Sequence, residues 1–355
     1  MKKQRLPTAV SAAIGMLVLI LDGKTTLSGA SEGVNLCIKT LIPSLFPFFL
    51  LSTMLTGALS GQTIRLLRPI ASACKIPKGA ESLLAIGVLG GYPVGAQNVA
   101  QLHGSGQLSG EQAARMITFC NNAGPAFLFG VLGSMFSDSK YTWLLWLVHI
   151  SSALLVGMLL PGSRTEGAVR PLSRSVTVTD ALAQAVKVMG LVCGWVVLMR
   201  MMLAFLEHWF LWLLPPVARV VIAGALELSN GCVRLPCIEN EGLRFILASA
   251  MLAAGGVCVS LQTASVAQEI PLRLYFPGKL LQCGISVLLS CALQFLFPAQ
   301  MRQNCSVIMP IAAVCSFLSF LILKKIEKVL AFHTVVVYND HIHAKEVRSC
   351  CFAKK

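Results

Sequence analysis

Apolar residues recur along this chain in runs long enough to form membrane-crossing helices, separated by short stretches where Lys and Arg gather. A bilayer-spanning helix needs ~20 apolar residues, and the runs 6–21, 41–59, 141–160, 189–206, 280–297 and 307–323 approach that length. Between them lie apolar segments broken in the middle. Residues 82–102 are interrupted by Gly90-Gly91-Tyr92-Pro93-Val94-Gly95. Residues 109–136 break at Asn121-Asn122-Ala123-Gly124-Pro125, and residues 243–267 at Gly255-Gly256. A shorter segment, 217–228, runs into Glu227-Leu228-Ser229-Asn230-Gly231. Gly and Pro inside an apolar run are poor helix formers, so the pattern predicts helices that stop and restart at membrane depth.

The order of these elements predicts an all-α polytopic membrane protein of two inverted repeats, with re-entrant hairpins and broken helices. With the N-terminus inside, helix 6–21 runs outward and a second helix, from about residue 36 to 59, returns. A hairpin (82–102), a broken helix opened by Ser109-Gly110-Glu111-Gln112 and a crossing at 141–160 complete the first half. Helix 188–206, a hairpin ending at Glu227, the broken helix 243–267 and the crossing 280–297 repeat that order. The offsets agree: Tyr92 to Ser229 is 137 residues and Gly124 to Gly255 is 131. The expected divisions are an N-terminal helix (1–29), first repeat (30–162), cytoplasmic linker (163–187), second repeat (188–298), last transmembrane helix (299–323) and basic tail (324–355). The start, Lys2-Lys3-Gln4-Arg5 before an apolar run, also fits a signal peptide with a cleavage point near Ser28-Gly29-Ala30. An uncleaved first helix is the preferred reading.

Composition narrows the class. Only 12% of the 355 residues are charged and 55% are hydrophobic, against about 25% charged in a soluble domain, so one membrane domain with no sizeable soluble part is expected. The net charge of +14 does not point to nucleic acid, because the basic residues lie in short loops and at the ends. The fold just described puts 21 of the 29 Lys and Arg inside, Arg115 and Lys279 among them, as the positive-inside rule asks. Most of the 13 cysteines lie in apolar runs as small hydrophobes; Cys232 and Cys237 could close a loop disulfide. HExxH and a full Gly-x-x-x-x-Gly-Lys-Ser/Thr phosphate loop are absent from the sequence, so an enzyme or an ATP-driven pump is not expected.

Backbone that leaves a helix inside lipid survives only where protein or a water-filled cavity satisfies its N–H and C=O groups. Interrupted segments at matching places in two halves are therefore the pointer to a transporter site. The candidate solute-binding residues are Gly91, Tyr92, Pro93 and Gln97 at the first hairpin, and Asn121, Asn122, Gly124 and Pro125 at the first break. At the second hairpin they are Glu227, Ser229 and Asn230, and at the second break Gly255, Gly256, Ser260 and Gln262. Half-helix N-termini there would aim N–H groups at a ligand and favour an anion. Glu227, ionisable in apolar surroundings, could carry a proton, hold a cation or bond the solute. Arg200 could meet a ligand carboxylate, pair with Glu207, or snorkel to the surface. His149 reads as packed or interfacial rather than catalytic. No metal or other cofactor is expected beyond a coupling Na+ or H+. The expected partners are the lipid bilayer and a small-molecule solute, with no nucleic acid; a homo-oligomer is left open.

Ser44-Leu45-Phe46-Pro47-Phe48-Phe49, Gly90-Gly91-Tyr92-Pro93-Val94-Gly95, Phe119-Cys120-Asn121-Asn122-Ala123-Gly124-Pro125-Ala126-Phe127, Glu227-Leu228-Ser229-Asn230-Gly231 and Gly255-Gly256 with Gln262 resemble the YlbJ-type sporulation integral membrane proteins. Those carry the nucleoside-recognition (Gate) domain, and the resemblance covers roughly residues 30–300. It implies a fold similar to concentrative nucleoside transporters and a role in spore formation at the outer forespore membrane, with dipicolinate as cargo. The nucleoside label reflects fold and does not imply a nucleoside solute. This chain has Ser260 where the family pattern has a histidine.

Overall fold

The computed structural model describes residues 5–59, 62–162, 169 and 176–296, and the elements it contains are all helices. The predicted helix 307–323, the tail 324–355 and residues 163–168 and 170–175 of the linker lie outside the described residues. Helices α1 (Arg5–Leu21) and α2 (Gly23–Leu36) are separated by Asp22 alone, whose carboxylate accepts from the Thr25 N–H at 3.2 Å and caps α2. A π-helical turn (Cys37–Leu41) carries α2 directly into α3 (Ile42–Leu59). The sequence predicts a second helix only from about residue 36, because Thr25, Thr26, Ser31 and Glu32 dilute the apolar signal. The structure starts it at Gly23 because the α2 face that matters is made of small residues. A Cβ on Gly29 would come within 2.8 Å of Ala204 Cβ, and one on Gly33 within 2.9 Å of Val197 Cα, so α10 lies directly on these glycines. The candidate cleavage step 28–30 lies inside α2.

The first half continues with α4 (Arg68–Ala73), α5 (Ser82–Leu89), α6 (Val94–Gly104), α7 (Gly110–Cys120), α8 (Pro125–Gly130) and α9 (Ser139–Leu159). The predicted start of α7 is present as a capping box: Ser109 Oγ accepts from Gln112 N at 3.2 Å, and Gln112 Oε1 from Ser109 N at 2.8 Å. The predicted break follows, with Asn121 extended (φ −123°, ψ 96°) and Pro125 in the first turn of α8. The second half holds α10 (Val178–Trp209), α11 (Pro216–Leu226), α12 (Leu228–Cys232), α13 (Glu241–Ala254), α14 (Gly256–Val266) and α15 (Tyr275–Leu296). α10 begins ten residues ahead of the predicted 188, because Thr177 and Asp180 form a second capping box.

Five helical spans among the described residues are long and apolar enough to cross a bilayer: Gly23–Leu59, Ser139–Leu159, Val178–Trp209, Glu241–Val266 and Leu272–Gln294. The protein is a multi-pass membrane protein, and large outward side chains such as Trp143, Leu147, Leu182 and Val186 face the lipid. α2 and α3 pack along α10, and α9 packs along α15. The two broken helices sit between the same pair, since α7 and α13 each touch both α9 and α15.

Two charges, Arg115 and Arg200, are structural. Arg115, 6% exposed, donates to the carbonyls of Cys74 (2.8 Å), Leu160 (3.2 Å) and Gly157, tying α7 to the ends of α4 and α9. Arg200 does not snorkel and is not free for a solute. It pairs with Glu32 on α2 and with Glu207 at 2.9 Å, and Glu207 in turn binds Arg234 at 2.6 Å. Cys232 and Cys237 are both free thiols, so the loop disulfide does not form.

Candidate functional site

The turn between α5 and α6 is built from close backbone contact. Gly91 has φ +76°, a left-handed conformation that glycine adopts without cost. It lies against Gly124 of the first break, where a Cβ would come within 3.0 Å of Gly91 Cα. Tyr92 then reaches across to the other half. Its hydroxyl donates to the Leu252 carbonyl at 3.1 Å, in the last turn of α13, and its ring lies over Gly255. The first turn and the second break are thus joined by one side chain.

The asparagines of the first break face a polar centre inside the bundle. Asn121 Oδ1 accepts from the Ala96 N–H at 3.2 Å, in the first turn of α6, and its Nδ2 donates to Thr263 Oγ1 at 2.9 Å. Asn122 Oδ1 accepts from Gln282 Nε2 at 3.1 Å. The Ala123 N–H donates to His149 Nε2 at 3.1 Å, so His149 is packed, as expected, and holds the break open.

At the middle of this centre is Lys279, 3% exposed. Its ammonium donates to Asn121 O (2.6 Å), Gln282 Oε1 (2.9 Å), Asn122 Oδ1 (3.4 Å) and Tyr92 Oη (3.4 Å), with the Tyr92 ring centroid at 5.2 Å and that of Tyr275 at 5.9 Å. The sequence pattern places Lys279 among inside-loop charges, because the apolar run begins at Leu280. The structure overturns that: α15 starts at Tyr275, and Lys279 lies on its buried face. A signal was present in the chain. Lys279, Gln282, Ser286 and Ser290 recur at intervals of three or four residues, one face of a helix, and all are buried.

Glu227, also 3% exposed, ends α11 and caps α12. Its carboxylate accepts from Ser229 N (2.8 Å), Asn230 N (2.7 Å) and Asn230 Nδ2 (2.8 Å). The second break abuts this turn: Gly256 has φ +76°, and a Cβ there would stand 2.7 Å from the Gly224 carbonyl oxygen.

These elements enclose a central cavity of about 50 Å³, room for a few waters. Gly91, Tyr92, Gly124, Glu227, Ser229 and Gln262 line it, with Phe48, Phe49, Phe127, Val192 and Val196 completing an apolar wall. A second cavity of about 1120 Å³ follows the same helices, α3, α10 and α14, toward one end of the bundle. Gln97, Asn98, Asp180, Lys187 and Glu269 are among its polar lining.

The candidate residues therefore fall into separate groups. Six line the cavity and Gln97 lines the larger vestibule. Asn121 and Asn122 belong to the Lys279 centre. Pro93, Pro125, Asn230, Gly255 and Gly256 shape or cap backbone. Ser260 does not line the cavity; its hydroxyl donates to Gly256 O at 2.9 Å within its own helix. Several N–H groups at the turns and the first break are already taken by protein side chains. Glu227 takes those of α12, Asn121 takes Ala96 at α6, and His149 takes Ala123 before α8. Lys279, Gln282 and Tyr275 are the polar residues that the sequence reading missed. Among the described residues no group of three His, Cys, Asp or Glu is placed to hold a metal ion.

Compared with proteins of known description, the chain matches the sporulation integral membrane protein YlbJ of Bacillus subtilis (strain 168). The two are 30% identical over 146 residues, 39% of this chain and 35% of that protein. The chain shares distant, partial homology with YlbJ. The match spans about a third of the relative's length, less than the 30–300 stretch expected from the motifs. No family model matches the chain, and no solved structure matches it.

Proposed function

We propose that this chain is a YlbJ-like sporulation membrane protein that carries a small planar solute across the bilayer, without chemistry on that solute. One observation carries the reading: a single cavity is lined by both interhelical turns and by both broken helices, and a polar vestibule follows the same helix faces. That is the arrangement expected where discontinuous helices serve a transport pathway. The partial homology supports the sporulation setting.

The helix contacts support two repeats of inverted topology with hairpins that enter and leave on one side. α5 with α6 corresponds to α11 with α12, and α7–α8 to α13–α14. The neighbours exchange accordingly, α7 meeting α15 as α13 meets α9. At about 50 Å³ the central cavity is closed to anything larger than water. The transport cycle therefore requires the two turns to separate from the breaks.

The first solute reading is a small dicarboxylate such as dipicolinate, supported by the family resemblance and by the positive charge of Lys279 behind the Tyr92 ring. A second reading, a neutral nucleoside-like solute, is favoured by Glu227. An acceptor-rich carboxylate beside Gln262 and three Phe rings suits a planar ring with hydrogen-bond donors on its edge. Uptake of labelled dipicolinate, and separately of uridine, into proteoliposomes containing the full chain distinguishes them. Saturable dipicolinate uptake, weakened by Gln262→Met, is the expected result. Uridine uptake alone replaces the anion with the nucleoside reading. Uptake of neither by folded protein rules out both solutes and favours another substrate or a membrane scaffold of sporulation.

A further inference from the structure

Lys279 presents a problem that its surroundings answer in an unusual way. An ammonium buried without a counter-ion is costly, and among the described residues no carboxylate lies within ion-pair distance of Lys279. Its partners are neutral oxygens instead: the Asn121 carbonyl, the amide oxygens of Gln282 and Asn122, and the Tyr92 hydroxyl. The rings of Tyr92 and Tyr275 supply their π faces. This is the ligand set of an alkali-cation site. Hard monovalent cations are held by carbonyl and amide oxygens. The Asn121 carbonyl is also at the C-terminal end of a half-helix, where the dipole is negative and coupling ions are coordinated in broken-helix transporters.

We propose that the Lys279 ammonium is a built-in cation that fills a sodium-type site between the first break and α15, so that this protein uses no sodium ion. The tethered charge holds Asn121 and Asn122 in the geometry that a diffusible cation would impose. Removing the side chain vacates the site and leaves its oxygens, converting it into one that binds Na+. The inference deepens the carrier reading, but its test uses no solute, so the two can fail separately.

The test compares thermal unfolding of the full-length detergent-solubilised wild type and Lys279→Ala in sodium chloride and in N-methylglucamine chloride at equal ionic strength, with 22Na+ binding as a second readout. The wild type is expected to melt at the same temperature in both salts and to bind no 22Na+. Lys279→Ala should melt lower in the organic cation and recover on the order of 5 °C in sodium, with saturable 22Na+ binding that Asn122→Ala removes. Lys279→Ser, which adds a hydroxyl to the emptied site, serves as the second variant if the alanine protein does not insert. A sodium response in the wild type overturns the proposal, and so does a folded Lys279 variant that sodium neither stabilises nor binds.

Discussion

The two breaks occupy matching positions but are held apart by different means. The first runs through four non-helical residues, 121–124, and its two asparagines are engaged mainly by distant elements, Ala96, Thr263, Gln282 and Lys279, with the Asn122 Nδ2 donating locally to the Phe119 carbonyl. The second is a step of two glycines, both at positive φ, with backbone from α11 packed against it and the Tyr92 ring above. One break is propped open by hydrogen bonds and a buried charge, the other by the absence of side chains. The lesson is that unsatisfied backbone at membrane depth can be managed either by polar partners or by close backbone packing. Each choice leaves a different vulnerability.

The largest effect should come from adding atoms to the second break. Gly256→Ala forces a Cβ to within 2.7 Å of a backbone carbonyl oxygen at a φ that L residues avoid. The expected cost is on the order of 3 kcal/mol or more, seen as loss of monodisperse protein or a large fall in melting temperature. Gly124→Ala in the first break meets Gly91 Cα at 3.0 Å but carries no φ strain (φ −81°), so it should cost clearly less. Equal damage at the two sites would remove the distinction. Next comes the opposite manipulation, deleting polar atoms. Asn121→Ala strands the buried Ala96 N–H and removes a bond to Thr263, a loss of about 2 kcal/mol, to be read in the same unfolding assay. Glu227→Gln should be milder, about 1 kcal/mol, because one amide oxygen still caps α12 but cannot take both N–H groups. If Glu227 acts on the solute as well as on the helix, uptake should fall more than this loss of stability explains. Uptake equal to wild type would confine Glu227 to capping.

The difference between the breaks also explains what could be read from the chain. Gly, Pro and Asn in the middle of apolar runs place breaks by local chemistry alone. The α7 start was likewise legible from Ser109 and Gln112, whose capping partners are three residues apart. Lys279 was not, because average hydropathy reports composition and not which helix face a residue takes. A lysine at the edge of an apolar run looks like a loop charge until its i+3 and i+7 neighbours are seen to be polar too. The extension of α2 was hidden for the converse reason. Gly29 and Gly33 are weak helix formers locally, and only the approach of α10 makes them the contact face. The roles of Asn121 and Glu227 as caps depend on residues 25 positions away or on a turn whose direction the sequence does not state.

The smallest structural effect and the most telling functional one should belong to Gln262. It lines the cavity from α14, and its amide nitrogen donates to the Cys258 thiol at 3.3 Å, a weak acceptor. Gln262→Met preserves volume and flexibility, so stability should stay within ~1 kcal/mol of wild type. A solute hydrogen bond to the amide, by contrast, would be lost outright. The apparent KM for uptake should rise about tenfold, the equivalent of roughly 1.4 kcal/mol, with protein level and melting temperature unchanged. Asn121→Ala reverses that pattern: it should lower stability first and reach transport only through the shape of the break. If Gln262→Met instead lowered the melting temperature strongly and left KM alone, the cavity would be a packing defect between the halves and the solute path would lie elsewhere.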